Sequence, residues 1–126
     1  MLRTPLGRVR GLGAAKEGVH HWWTQRLTAL ALIPLAIWFV SSLVGLAGAD
    51  YAEVVVWLRS PVVAITMVLL LGFTFHHAQA GLQVVIEDYV HDEGAKIALI
   101  LAVKAVALIA AAAGIFAVLK IAFRGL

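Results

Sequence analysis

Phe75-His76-His77-Ala78-Gln79-Ala80-Gly81-Leu82-Gln83-Val84-Val85-Ile86-Glu87-Asp88-Tyr89-Val90-His91 is the polar end of an apolar segment that begins near Val62. As a helix, the run from Val62 to Ile86 rises about 37 Å, more than the roughly 30 Å of a bilayer's hydrocarbon core. Two histidines lie well inside it, and an acidic–aromatic pair, Asp88-Tyr89, closes it. Ionisable side chains at membrane depth are costly. They face the interior of a helix bundle and mark functional sites by default. This stretch therefore sets the class of the protein and locates the chemistry to be explained.

The composition agrees with a membrane-embedded chain. Of 126 residues, 63% are hydrophobic, and the mean hydropathy is +0.97. A soluble domain of this size needs far more polar surface. Long unbroken apolar runs exclude a β-barrel, whose strands alternate apolar and polar residues. The expectation is a single all-α integral membrane domain over residues 1–126. There is no cysteine, which excludes disulfides, thiolate-bound clusters and c-type haem attachment on this chain. Any metal must be held by His, Asp, Glu or Met. The net charge of +3 is concentrated before the first apolar run, so it reads as a topology signal rather than a nucleic-acid footprint.

Residues 1–26 carry Arg3, Arg8, Arg10, Lys16 and Arg26 against Glu17 alone. Gly7, Gly11, Gly13 and Gly18 argue against one long stable helix there, so a solvated cytoplasmic arm is expected. His20-His21-Trp22-Trp23 forms an aromatic cluster that marks the level of entry into the membrane. The first span is expected at 27–48. Its 22 residues rise about 33 Å, and Pro34 should kink or loosen a turn. Ala47-Gly48-Ala49 resembles a signal-peptide cleavage site, but the basic region and the apolar run are both too long for a signal peptide.

Residues 50–60 read as a short connection, and Pro61 suits the first turn of the next helix. The second span is expected at 62–86, and an acidic loop follows at 87–94. The third span is expected at 95–121, where Ala110-Ala111-Ala112-Ala113-Gly114 offers small residues for close packing. Lys104, about two turns inside that helix, should snorkel to the nearer boundary. Three spans put the termini on opposite sides. Arg3, Arg8, Arg10, Lys16, Arg26 and Lys96 on one side outnumber Arg59, Lys120 and Arg124 on the other, so a cytoplasmic N-terminus is expected.

A histidine at membrane depth serves as a haem ligand, a proton relay or a structural hydrogen bonder. His77 has Gly81 one turn on; His76 has Ala80 one turn on and Gly72 one turn back. The two rings point about 100° apart on a helix, and local chemistry leaves them equivalent. Tyr89 offers a hydroxyl donor that would suit a quinone carbonyl at the membrane edge, with Asp88 beside it to orient it or handle protons. By position alone, Tyr89 is also an ordinary interface residue and Asp88 an ordinary solvated helix end. Arg26 suits carboxylates such as haem propionates. Taken alone, it is an ordinary positive-inside anchor.

Gly18-Val19-His20, then Gln25-Arg26 and Thr28-Ala29, then His77, Gly81 and Asp88-Tyr89 resemble the small hydrophobic membrane-anchor subunit of succinate dehydrogenase. This is the D-type cytochrome b subunit of succinate:quinone oxidoreductase (complex II). The resemblance covers most of the chain. Its pattern H-x3-G-x6-D-Y, with an interval of 89 − 77 = 12 residues, selects His77 over His76.

The resemblance implies three transmembrane helices packed with a larger cytochrome b anchor subunit, beside a flavoprotein and an iron–sulfur subunit. FAD and the iron–sulfur clusters would reside on those partners. A b-type haem would be shared between the two anchors, with ubiquinone as substrate. It further implies His77 as an axial ligand of haem iron, His20 and Arg26 at the haem propionates, and Tyr89 and Asp88 at the quinone site. Succinate itself would be oxidised elsewhere, and the membrane would be the bacterial cytoplasmic membrane in preference to the mitochondrial inner membrane. Two alternatives stand beside this reading. One is a fumarate reductase anchor using menaquinone. The other is a small non-enzymatic membrane protein whose histidines bind metal or stabilise assembly.

Overall fold

A computed structural model describes residues 4–9 and 15–124. Arg3, Arg10, Gly11 and Gly13 of the expected arm lie outside the described residues, as do the side chains of Arg8, Lys16 and Glu17. The chain forms α1 (Pro5–Val9), α2 (Ala15–Gly45), α3 (Tyr51–Arg59), α4 (Pro61–Tyr89) and α5 (Glu93–Phe123). No strand occurs among the described residues. Three helices are long and apolar enough to cross a membrane: Gly18–Gly45, Pro61–Tyr89 and Glu93–Phe123.

The first of these corrects the expected start. Helix α2 begins at Ala15 rather than Leu27, so His20, His21 and Arg26 ride on a continuous helix instead of a loose arm. Its early turns are reinforced locally. The Thr24 hydroxyl donates to the His20 carbonyl at 2.8 Å, a bond that fits within a helix. Gly18 alone does not break the helix, because one glycine costs only about 1 kcal/mol. Pro34 lies inside α2; it has no N–H to give the Leu30 carbonyl.

The expected connection at 50–60 contains a helix of its own. Asp50 and Glu53 form a reciprocal capping box at 2.9 Å in each direction, which satisfies two otherwise unpaired N–H groups. Trp57 of α3 stacks on Trp38 of α2, with centroids 5.9 Å apart. We expect Asp50→Ala to cost about 1 kcal/mol, read as faster amide exchange confined to the first turn of α3. The acidic loop is shorter than expected. Glu87 and Asp88 are still helical, and Asp92 caps α5 by accepting from the Ala95 N–H at 2.7 Å.

Helix α4 is the hub. It packs against both α2 and α5, while the α2 and α5 backbones nowhere come within 8 Å of each other among the described residues. Against α5, Gly114 lets Leu71 come close: a Cβ at Gly114 would lie 3.2 Å from Leu71 Cδ1. Ala112 and Ala113 of the same run stay exposed. Only Ala64, Ala80, Ile86 and Val118 are buried among the described apolar side chains. Three long helices that hide so little of their own apolar surface must cover it with lipid or with other helices.

Candidate functional site

Helices α2 and α4 run antiparallel, so the start of α2 lies beside the end of α4. Their closest seam is built from small and polar residues. Ala80 is 4% exposed and Thr28 also 4%, the one buried polar side chain among the described residues. One turn beyond His77, a Cβ on Gly81 would meet Gln25 Nε2 at 3.4 Å. Thr28 Oγ1 lies 3.0 Å from His77 Nδ1. A hydrogen bond between membrane helices contributes on the order of 0.6 kcal/mol. Such a bond is too weak to hold the helices together, so its importance lies in how it orients the ring.

His77 opens onto a cavity of about 450 Å³ that it shares with His21, Trp22, Gln25, Arg26 and Ala29 of α2. Within it, His21 Nε2 and Gln25 Oε1 are buried without a hydrogen-bond partner. The Arg26 guanidinium sits 5.0 Å over the Trp22 ring and pairs with no carboxylate among the described residues. Arg26 is exposed at the mouth, free to take up a carboxylate from outside this chain.

His76 faces elsewhere. It lines two adjoining cavities, of about 390 and 440 Å³, with Gln79 of α4 and Lys104 of α5. From there Gln79 Nε2 donates to Gln83 Oε1 at 3.2 Å, and Gln83 Nε2 donates to Glu87 Oε1 at 2.9 Å. This amide ladder runs down α4 to the membrane edge. The doublet is thus split between the two flanks of α2. His20 lines a cavity on the His76 side and not the one holding His77 and Arg26, whereas His21 lines both. Lys104 is exposed and bounds the His76 cavities.

Asp88 and Tyr89 occupy the last turn of α4, both exposed, Tyr89 to 78%. They lie at the same end of the molecule as His20–Arg26, in none of the cavities just described. The motif pattern includes Gln25 and Thr28 without giving either a role, and it leaves out His21, which the sequence places only in the boundary cluster. A signal for them existed: at i, i+4 and i+7 they form a polar stripe along one face of an otherwise apolar helix.

The set fits a b-type haem. A histidine with a fixed ring, an unpaired guanidinium at the mouth and orphaned polar atoms inside a half-open cleft answer the needs of an iron, a propionate and a ring edge. No group of three His, Asp or Glu that could hold a metal ion occurs among the described residues.

Comparison with known proteins bears on the same residues. A family model for the succinate dehydrogenase/fumarate reductase transmembrane subunit matches residues 1–111. The chain is 32% identical over 117 residues to the succinate dehydrogenase hydrophobic membrane anchor subunit of Rickettsia bellii, covering 92% of this chain and 93% of that one. It is 30% identical over 100 residues to the protein of the same name from Paracoccus denitrificans, covering 79% and 78%. It is 29% identical over 100 residues to the succinate dehydrogenase membrane anchor subunit of Reclinomonas americana, covering 74% and 80%. No solved structure matches. A match over residues 1–111 takes in the His77–Arg26 cleft and the Asp88-Tyr89 edge, and the chain belongs to the succinate dehydrogenase/fumarate reductase transmembrane subunit family.

Proposed function

We propose that this chain is the hydrophobic membrane anchor of a succinate dehydrogenase, sharing a b-type haem with a second anchor subunit and forming part of a ubiquinone site. The observation that carries this reading is the cleft that His77, held by Thr28, shares with Arg26, which pairs with no carboxylate among the described residues. Asp88 and Tyr89 stand at the same membrane edge. The six-to-three imbalance of Lys and Arg supports a cytoplasmic N-terminus. That sidedness puts the His20–Arg26 segment and the Asp88-Tyr89 edge towards the flavoprotein and iron–sulfur subunits, in a bacterial cytoplasmic membrane.

Each residue then has a defined task. His77 would hold the haem iron through Nε2, with the partner anchor supplying the other protein ligand. Arg26 would neutralise a propionate at the mouth, with His21 lining the same cleft and His20 lining the cavity on the His76 side. The haem supplies a one-electron station. Tyr89 donates its hydroxyl proton in a hydrogen bond to a quinone carbonyl oxygen, and Asp88 orients that edge or handles protons as quinone takes up two electrons and two protons. Succinate oxidation, with its FAD and iron–sulfur clusters, belongs to the partner subunits.

Co-expression with the neighbouring subunits tests the reading. A flavoprotein and an iron–sulfur protein should co-purify with the chain, and the reduced-minus-oxidised spectrum should show a b-type band. Purification of the chain alone, with no such band, would overturn it. Ubiquinone extracted from the complex fits a succinate dehydrogenase; menaquinone would point to a fumarate reductase anchor.

A further inference from the structure

We propose that Thr28 is a positioning residue that fixes the tautomer of His77, holding the proton on Nδ1 and leaving the Nε2 lone pair free for iron. The inference rests on His77 being a haem ligand, and it concerns which nitrogen is offered and what sets that choice.

The argument is a count of protons. A threonine hydroxyl has one proton and two lone pairs. Thr28 Oγ1 lies 2.8 Å from the Thr24 carbonyl oxygen and 3.0 Å from the Gln25 carbonyl oxygen. Carbonyl oxygens only accept. At 2.8 Å, the usual O–H···O length, two oxygens without a proton between them would meet lone pair against lone pair. The hydroxyl proton therefore lies on the α2 backbone side, and Oγ1 turns a lone pair towards His77 Nδ1, 3.0 Å away. A second lone pair there would be repulsive, so Nδ1 must carry hydrogen and donate it. In a neutral imidazole, Nε2 is then unprotonated. Thr28 is 4% exposed, so water does not compete for either bond.

His76 has no such partner. It is exposed and forms no hydrogen bond among the described residues, so nothing in the structure selects its tautomer. The Thr28 hydroxyl thus distinguishes two adjacent histidines that the sequence leaves chemically alike. A bond from Nδ1–H to an acceptor also raises the basicity of the ligating nitrogen and fixes the rotation of the ring, and losing such support typically costs 10- to 100-fold in metal affinity.

The test uses Thr28→Val, which keeps the shape and removes the hydroxyl, and Thr28→Ser, which restores it. In the assembled complex, Thr28→Val should weaken haem retention by about 10- to 100-fold and raise the haem midpoint potential, because a less basic imidazole stabilises ferric iron less. Thr28→Ser should return both to wild type. Wild-type potential and retention in Thr28→Val, or a serine variant as impaired as the valine one, would overturn the proposal.

Nitrogen-15 NMR of the full chain in lipid, with labelled histidine and no haem, reads the tautomer directly. Nδ1–H at His77 is expected in wild type, and a mixture in Thr28→Val; Nε2–H in wild type would overturn the assignment. Haem retained by a His77→Ala complex would refute the ligand reading separately, leaving the tautomer to be decided by the NMR measurement.

Discussion

His77→Ala should strip the assembled complex of its b-type absorption, while His76→Ala should keep it. The two residues are neighbours with the same side chain, so composition, hydropathy and helix propensity predict equal effects. The surroundings do not. His77 is tied to Thr28 at 3.0 Å and opens on the cleft that also holds Arg26. His76 lies on the other flank, beside Gln79 and Lys104. Losing an axial ligand should reduce haem affinity by more than the 10- to 100-fold that follows from losing a supporting hydrogen bond. Haem content per flavin, measured on co-purified complex, is the readout. Haem loss in His76→Ala with retention in His77→Ala would reverse the assignment. Equal loss in both, with subunits missing from the preparation, would indicate that the doublet serves assembly.

Tyr89→Phe should slow quinone reduction on the order of 10²-fold while leaving succinate oxidation by an artificial soluble acceptor intact. A hydroxyl aimed at an oxygen that gains charge during reduction is worth about that much, and phenylalanine keeps the ring and its packing. The split between the two assays carries the information. The artificial acceptor takes electrons before the membrane step, so a defect confined to quinone locates Tyr89 at the quinone. Parallel loss of both activities would mean that the exposed end of α4 is a docking surface for the soluble subunits. Unchanged quinone reduction would return Tyr89 to the ordinary role of an aromatic at the membrane boundary.

The membrane architecture was legible because it depends on one property. Runs of apolar residues long enough to cross a bilayer can hardly be anything else, and the three long helices fall where those runs fall. The ends were harder to place. Four glycines before residue 19 argued against helix, yet α2 starts at Ala15, since a single Gly18 weighs little against the turns that follow. Helix α3 was hidden in what read as a connection, although Asp50 followed by Glu53 at i+3 is itself a helix-start signal. The site was legible only as residue types. Nothing in the local sequence separates His76 from His77; the resemblance implied His77, and the contact with Thr28 supplies a physical difference between them. His21 rather than His20 shares the cleft with Arg26, because one step along a helix turns a side chain by about 100°. That rotation can be worked out only once residues 15–26 are known to be helical.

The separation of the α2 and α5 backbones among the described residues has a consequence for how the protein is made. Synthesis runs from the N-terminus, and α2 ends at Gly45, whereas α4, the long helix it packs along among the described residues, is complete at Tyr89. At 5–20 residues per second, those 44 residues take roughly 2 to 9 s. During that interval α2 sits in the bilayer as a solitary span, with a threonine near its polar end. The Thr28 hydroxyl already has an acceptor in its own helix, the Thr24 carbonyl, so the lone span exposes no unsatisfied donor there while it waits. Arrival of α4 then adds the imidazole to a hydroxyl already oriented to receive it. The cleft itself is built from α2 and α4 alone, with no residue of α5 in its lining.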